Sequence, residues 1–157
     1  MKKVKLAVVG VGNCASSLIQ GIEYYKHHHN EHSDGIMQPN INGWRPQDIK
    51  IVAAFDVDKR KIGLPIEKAI FAEPNCTTVF QKLIPVNGVR VKMGQLLDGV
   101  ADHMAEYPKS ESFRVAQEDS VNVVEELKNC SAEVLVCYLP VGSQKAVEFY
   151  ANACLEA

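Results

Sequence analysis

The sequence lacks the features that would connect the protein with a membrane or a nucleic acid. No apolar run reaches the length of a membrane span, and the opening residues, MKKVKLAVVG, contain no signal-peptide cleavage region. Neither sign of charge predominates, since 17 Lys and Arg residues stand against 19 Asp and Glu, for a net charge of −2. No basic surface for nucleic acid is expected, so neither membrane nor nucleic acid is predicted as a partner.

Cysteine is sparse and is not arranged for disulfides or zinc. The chain has five cysteines, an odd number, and no CxxC pair. Such cysteines are typical of reduced thiols in a reducing compartment, which predicts a cytoplasmic protein. Only 7% of residues are aromatic, but 46% are hydrophobic, enough for a sizeable core and too many for a disordered chain. A length of 157 residues predicts one domain, residues 1–157.

The most informative stretch is residues 4–17, VKLAVVGVGNCASS. Its apolar start is typical of a strand buried in a parallel sheet, and the glycines that follow predict a turn into a helix. Gly10 can adopt a tight turn, Gly12 lets a pyrophosphate approach the backbone, and Ala15 takes the third small position of a GxGxxA motif. This stretch therefore predicts a dinucleotide-binding turn, the alternative being a strand–helix turn that binds nothing.

The helix after the turn is expected to bury a stripe formed by Leu18, Ile22 and Tyr25. Its first amides, near Asn13 and Cys14, are predicted to face the anion with the helix dipole behind them. A thiol at this position can be acidified, so a nucleophilic role for Cys14 is conceivable. No histidine or other base is close in sequence, which favours a small residue packed beneath the dinucleotide.

An acidic residue follows the next predicted strand, Ile49–Phe55. Asp56 at its end can accept hydrogen bonds from the adenosine ribose and would repel a 2′-phosphate, which predicts NAD rather than NADP. Arg60 and Lys61 are close enough to keep NADP open as an alternative. A solvated strand end or a helix cap is the structural alternative for Asp56, and Asp58 is the neighbour that could fill that role.

A long insertion separates the glycine turn from this acid. Asp56 follows Gly12 by 44 positions, whereas about 20 is usual. The extra residues, about 26–48, have no helical or strand periodicity and predict a long irregular loop. Within it, His28 and His32 have the spacing of zinc ligands on a helix, but the glutamate of an HExxH motif is missing. A solvated helix end is favoured, and no metal ligand is predicted.

The remaining chain alternates between helix-like and strand-like segments. The alternation predicts an α/β protein with a Rossmann-type, doubly wound parallel sheet, in which about three buried strands are recognisable. The predicted segments are a short helix at Pro65–Phe71, a strand at Val89–Lys92, a helix capped by Asp119 or Ser120 and ending near Lys128, a buried strand at Glu133–Tyr138, and a last helix capped by Ser143.

The turn at Tyr138–Ser143 follows a strand on the carboxyl edge of the predicted sheet, where ligands of such folds bind. The side chain of Tyr138 and the backbone of this turn are therefore candidates to contact the nicotinamide side of the cofactor. An ordinary turn ended by a proline is the alternative.

Three segments together, VVGVGNCASSLIQGIEYY, VAAFDVD and VLVCYLPVGS, resemble the bacterial and archaeal branch of myo-inositol-1-phosphate synthase. The long insertion and the segment AIFAEPNCT are also similar to that family. The resemblance implies an isomerase of inositol and phospholipid biosynthesis, which converts D-glucose 6-phosphate to 1L-myo-inositol 1-phosphate with tightly held NAD. Oxidation of the sugar, aldol cyclisation and reduction follow one another, and the family's assembly is a homotetramer.

The resemblance implies which residues bind NAD. Eleven positions match the family's cofactor site, of which the two at 117 and 118 rest only on where the family's chain passes the cofactor. They are Gly10, Gly12, Asn13, Cys14, Ala15, Asp56, Gln117, Glu118, Tyr138, Pro140 and Gly142.

Family members are more than twice as long as this chain, and their catalytic residues come from a later domain. The chain is therefore expected to be the N-terminal part of a longer enzyme, with a sheet incomplete at its C-terminal side, no catalytic residues and no synthase activity of its own. Two alternatives remain: another NAD-dependent sugar or amino-acid dehydrogenase, and a non-catalytic domain that senses NAD.

Overall fold

Four parallel strands form one sheet in the computed structural model of the chain, which describes residues 3–28, 35–100 and 102–157. The sheet has the order β3-β2-β1-β4, and every neighbouring pair is parallel. The strands are β1 (Val4–Val9), β2 (Ile49–Asp56), β3 (Val91–Met93) and β4 (Val134–Cys137). The sequence predicted about three recognisable strands. The fourth, β3, is short; it begins two residues later and ends one residue later than the predicted Val89–Lys92.

Helices cover both faces of the sheet: α1 (Asn13–His27), α2 (Ile66–Ala69), α3 (Val123–Cys130) and α4 (Gln144–Glu156). Alternate residues of β1 serve the two faces. Leu6 and Val8 pack in one buried cluster with α1 and α2, whereas Ala7 and Val9 pack in the other with α3 and α4. This arrangement confirms the predicted α/β fold of the Rossmann type.

The prediction that β4 is buried is wrong for this chain. Val134 is 46% exposed, and the half-buried Leu135 and Val136 lie between it and the exposed Cys137. β4 pairs with β1 on one side, and the described residues place no strand on its other side. An apolar strand is buried only when both its edges and both its faces are covered, which residue pattern alone does not reveal.

One predicted helix cap is wrong, and a second, Ser143, holds the N-cap position of α4 without the expected side-chain bond. The cap of α3 is Asn122, whose side chain accepts a hydrogen bond from the Glu125 amide, rather than Asp119 or Ser120. At α4, the hydroxyl of Ser143 donates to the carbonyl of Pro140 instead of accepting from the helix.

The capping oxygens of α4 come from a distant part of the chain. Asp98 accepts hydrogen bonds from the amides of Lys145, at 2.8 Å, and Ala146, at 3.0 Å. Hydrogen bonding from the Lys145 amide lowers the pKa of the Asp98 carboxyl. The carboxylate thus accepts hydrogen bonds from two helix amides that a capping side chain next to the helix would otherwise bond.

Lys26 and His27 are the last residues of α1, so the helix extends two residues into the predicted loop. Residues 35–48 of the insertion contain an isolated bridge between Ile41 and Trp44 and a short 3-10 turn at Pro46–Asp48. Asp48 is buried and pairs with the ammonium of Lys3 at 3.4 Å. The remainder of the predicted loop includes residues 29–34, which lie outside the described residues. Within the described ranges, no helix is long and apolar enough to cross a membrane.

Candidate functional site

The glycine turn joins β1 to α1 as the sequence predicts. Gly10 has a φ of +84° and donates its amide to the carbonyl of Phe55 at 2.9 Å. A Cβ at this position would lie 3.0 Å from the carbonyl oxygen of Tyr138, whereas one on Gly12 would meet nothing within 4 Å. The positive φ at position 10 and its close approach to Tyr138 thus both require a glycine there, and Gly12 leaves open space beside the turn.

That open space lies at the N-terminus of α1. The amide of Ser16 donates to the carbonyl of Gly12 at 3.0 Å, so the amides of Asn13, Cys14 and Ala15 precede the helical ladder. Gly12 provides no side chain to cap them. With the helix dipole behind them, they form a ready site for an anion. Ala15 itself is fully buried, as the third small position of the motif requires.

The side chain of Asn13 holds a neighbouring loop. Its Oδ1 accepts hydrogen bonds from the amide of Cys76, at 2.8 Å, and from the amide and hydroxyl of Thr77, at 3.1 and 2.9 Å. The predicted contribution of Asn13 to an anion site therefore falls to its backbone amide. Cys76 and Thr77 belong to the segment AIFAEPNCT, whose similarity to the family predicted no role for either residue.

Asp56 ties the end of β2 to the glycine turn. One carboxylate oxygen accepts the Val11 amide at 2.7 Å, and the other accepts the amides of Val57, at 2.7 Å, and Asp58, at 2.8 Å. Each carboxylate oxygen offers two acceptor positions, so the first oxygen keeps one for a further donor. Asp56 is half-buried and lies where the sequence placed a ribose ligand.

Asp58 is neither the solvated strand end nor the helix cap that the sequence offered as the alternative role. It is fully buried and accepts hydrogen bonds from Nε and Nη2 of Arg60 at 3.0 and 2.6 Å. The hydrogen bond to Asp58 raises the pKa of the Arg60 guanidinium. Arg60 also donates to the carbonyls of Lys109 and Ser112, so its charge is occupied within the fold.

Lys61 was missed as a site residue. Its Nζ donates to the carbonyl of Val11 and to Oδ1 of Asn75, both at 2.8 Å, and the residue is only 3% exposed. Burial lowers the pKa of this ammonium. A lysine close to a predicted strand end gives no indication in sequence that it turns inward.

The second predicted loop meets the glycine turn through Tyr138. The amide of Tyr138 donates to the carbonyl of Val9 at 2.8 Å, and its half-buried side chain lies near Cys14. Burial raises the pKa of the Tyr138 phenol, and the charge of a Cys14 thiolate would raise it further. Pro140 and Gly142, which has a φ of +96°, are exposed in the turn beyond.

Gln117 and Glu118 lie at the same edge of the sheet. Both are exposed and follow Ala116, whose amide donates to the carbonyl of Val57 at 2.9 Å. This bond places them beside the end of β2 and hence on the side of Asp56. The structure therefore brings all the predicted residues to one edge of the sheet, with Gln117, Glu118, Pro140 and Gly142 at its exposed margin.

A groove of about 960 Å³ continues from the glycine turn along α1. Asn13, Cys14 and Tyr138 are among its lining residues, together with Leu18 and Tyr25. Leu18 and Tyr25 are half-buried, so the predicted apolar stripe is only partly in the core. The residues of α1 that are buried are Ala15, Ser16, Ile19, Gln20, Ile22 and Glu23.

The histidines of the insertion are described only in part. The ring of His28 stacks on Tyr24 with centroids 3.9 Å apart, and its Nδ1 lies 2.8 Å from the Tyr24 carbonyl oxygen. His29 and His32 lie outside the described residues. The alternative of a zinc-binding pair formed by His28 and His32 therefore lies outside them as well.

The fold and the glycine turn place the chain in the class of α/β proteins with a Rossmann-like sheet. No family model matches the chain. Similar proteins named inositol-3-phosphate synthase are found in Mycobacterium tuberculosis, at 41% identity, and Mycolicibacterium smegmatis, at 40%, each over 99% of this chain. The chain spans 41% of the length of these relatives. Over its own length the chain is similar to proteins named inositol-3-phosphate synthase, which confirms the resemblance inferred from its motifs.

Two solved structures share the fold. The protein named Ari2 superimposes with a TM-score of 0.77 and 37% identity, covering 99% of this chain and 43% of its own. A myo-inositol-1-phosphate synthase-related protein from Thermotoga maritima superimposes with a TM-score of 0.60 and 21% identity, covering 98% of this chain and 41% of its own. The second likeness concerns the fold alone.

Proposed function

We propose that this chain binds NAD, as part of an inositol-3-phosphate synthase that converts D-glucose 6-phosphate to 1L-myo-inositol 1-phosphate. One observation carries the proposal. The open turn at Gly12 and the Asp56 carboxylate are held together, because Asp56 accepts the Val11 amide at 2.7 Å. An anion site and a ribose acceptor at one edge of a parallel sheet are the two parts that a dinucleotide requires.

The residues fit such a ligand. Nothing lies within 4 Å of a Cβ placed on Gly12, so a pyrophosphate could approach the backbone there, and the amides of Asn13 and Cys14 would donate to it. Asp56 would accept from the adenosine ribose, and Tyr138 lies on the nicotinamide side. Gln117, Glu118, Pro140 and Gly142 are proposed as further contacts at the margin of the site, while Ala15 acts by its small size.

NAD is favoured over NADP because the nearby cations are occupied. Arg60 is held by Asp58 and two carbonyls, and Lys61 is buried beneath the glycine turn. Neither side chain is directed to a 2′-phosphate, and the Asp56 carboxylate would repel one. Bound NAD would accept a hydride from the sugar and later return it. This chain would position the cofactor and supply the charges around it.

The whole protein is proposed to be a cytoplasmic isomerase of inositol and phospholipid biosynthesis, assembled as a homotetramer. The five cysteines of this chain are free thiols, which suits a reducing compartment; they are Cys14, Cys76, Cys130, Cys137 and Cys154. The relatives' names support the reaction, and this chain covers 41% of their length. We place the bond-making residues in the part of such a protein that this chain does not cover.

The cofactor proposal predicts a specific loss for Asp56→Asn. Asparagine keeps one acceptor oxygen but replaces the other with an N–H donor. That donor can accept neither from a ribose hydroxyl nor from the backbone amides that bond to Asp56, so NAD affinity should fall about tenfold. Removing the carboxylate also removes its repulsion of a 2′-phosphate, so the preference for NAD over NADP should shrink. Isothermal titration of the wild type and the variant with both nucleotides measures the two effects.

Glu156→Gln is the matched control for Asp56→Asn. It removes the same charge from an exposed carboxylate at the far end of α4, roughly 20 Å along the helix from the site. Its NAD affinity should equal that of the wild type. If Asp56→Asn binds NAD as tightly as Glu156→Gln does, Asp56 is not the ribose ligand.

A second prediction concerns the reaction. The 157-residue chain should bind NAD yet convert no D-glucose 6-phosphate, because we place the residues that bind the sugar outside it. The product, inositol 1-phosphate, is measured by the phosphate that it releases on periodate oxidation. A full-length synthase is the positive control. Formation of inositol phosphate by the purified chain would contradict the proposal that the sugar-binding residues lie outside it.

A further inference from the structure

Lys61 is the charged group that the proposed site leaves unexplained. It lies in the turn after β2, where its amide donates to the carbonyl of Asp58 at 2.9 Å, and it is 3% exposed. Burial of an ammonium is costly unless its protons are bonded. The two acceptors found for it are the Val11 carbonyl and Oδ1 of Asn75, both neutral. Among the described residues, no carboxylate lies within 4.0 Å of this ammonium.

The atoms around Val11 indicate what this cation does. The Val11 carbonyl accepts from Lys61 at 2.8 Å and from Nδ2 of Asn75 at 3.1 Å. The Val11 amide donates to Asp56 at 2.7 Å on the other side. Both polar groups of this one residue are therefore held, and the turn is clamped between a buried cation and a carboxylate.

The orientation of the next amide follows from the geometry of the peptide bond. In a trans peptide the carbonyl and the N–H point in opposite directions. Because the Val11 carbonyl points inward to Lys61 and the Val11–Gly12 peptide is trans, the N–H of Gly12 points the other way, away from Lys61. A hydrogen bond from an ammonium also polarises the peptide, which strengthens its N–H as a donor.

We propose that Lys61 is a positioning residue for the diphosphate of an adenine dinucleotide, acting through the Val11–Gly12 peptide. It directs the Gly12 amide at the diphosphate and places a positive charge directly behind the turn. Lys61 is only 3% exposed and its ammonium donates to the Val11 carbonyl, so it would act on the anion through one peptide unit. This inference rests on the proposed function, since it requires that the turn bind a dinucleotide.

The test separates the diphosphate from the rest of the nucleotide. ADP carries the diphosphate and adenosine does not, and both are titrated into the wild type, Lys61→Met and Lys61→Arg. Lys61→Met should weaken ADP and NAD about tenfold and change adenosine affinity less than about twofold. Lys61→Arg, which keeps the charge and a donor, should recover most of the lost ADP affinity.

Lys59→Met is the matched control, since Lys59 is exposed two positions earlier. It should bind ADP like the wild type. Thermal unfolding checks that the variants fold, and Lys61→Met is expected to do so because Asn75 still donates to the Val11 carbonyl. As an independent measurement, the Gly12 amide resonance should shift strongly when ADP is added to the wild type and weakly in Lys61→Met.

The outcomes are distinct. If the wild type binds NAD and Lys61→Met binds ADP as tightly as Lys59→Met does, Lys61 has no positioning role, while the proposed function stands. Equal losses of ADP and adenosine would likewise overturn the role, because they indicate general damage. If the wild type binds neither NAD nor ADP, the proposed function fails and this inference fails with it.

Discussion

Gly10→Ala should lower the free energy of unfolding by about 3 kcal/mol and abolish nucleotide binding. A left-handed conformation costs an alanine about 1–2 kcal/mol, and forcing a methyl group into a filled space costs about 1–3 kcal/mol more. Gly10 has a φ of +84°, and its added Cβ would lie 3.0 Å from the carbonyl oxygen of Tyr138. That oxygen belongs to backbone held by the bond from the Tyr138 amide to Val9, so it cannot easily yield. Urea unfolding and NAD titration measure both effects.

Gly63→Ala is the control that separates the steric contact with Tyr138 from the strain of a positive φ. Gly63 also has a positive φ, +77°, but an added Cβ would meet nothing within 4 Å. It should therefore cost only the strain of about 1–2 kcal/mol and leave NAD binding intact. If Gly10→Ala is no more destabilising than Gly63→Ala, contact with Tyr138 does not constrain the turn.

Phe55→Ala should destabilise the fold still more, by about 3–5 kcal/mol. Phe55 is fully buried in β2, directly before Asp56, and its ring centroid lies 6.1 Å from that of Tyr150. Tyr150 is itself buried, its hydroxyl accepts the Gln95 amide, and burial raises its pKa to about 12. Truncating Phe55 would leave a cavity beside this ring that the surrounding strands cannot close. Equilibrium unfolding in urea measures the loss.

Phe80→Ala is the comparison for Phe55→Ala. The Phe80 side chain is 48% exposed and contacts the ring of Tyr24 edge-on, so its truncation should cost about 1 kcal/mol or less. Phe55→Leu should recover more than half of the stability lost in Phe55→Ala, since it refills most of the volume. Similar losses for Phe55→Ala and Phe80→Ala would show that Phe55 is not a central core residue.

Much of the fold was predictable because its patterns are local. The apolar runs of β1 and β2, the glycines between β1 and α1, and Asp56 at the end of β2 lie where the sequence placed them. Each depends on neighbouring residues in the chain, through strand burial and the freedom of glycine to adopt a positive φ. The assignment to a synthase-like protein likewise rests on contiguous motifs.

The helix caps were less predictable because several polar residues competed for each position. Asp119, Ser120 and Asn122 all precede α3, and only the last accepts a helix amide. At α4 the nearby Ser143 bonds to Pro140, and Asp98 supplies the cap from 47 positions away. Sequence patterns name residue types suited to a cap, but folding decides which one reaches the amides.

The sequence by itself determined the parallel α/β fold, the turn at Gly10 and Gly12, and Asp56 as the acid at the end of β2. Only the tertiary structure decided that Asn13 binds the loop at Thr77, that Asp58 is committed to Arg60, and that Lys61 turns beneath the glycine turn. The physical reason is the range of the interactions. Backbone conformation and strand burial depend on neighbouring residues, whereas the partner of a polar side chain depends on which distant segments folding brings within hydrogen-bond distance.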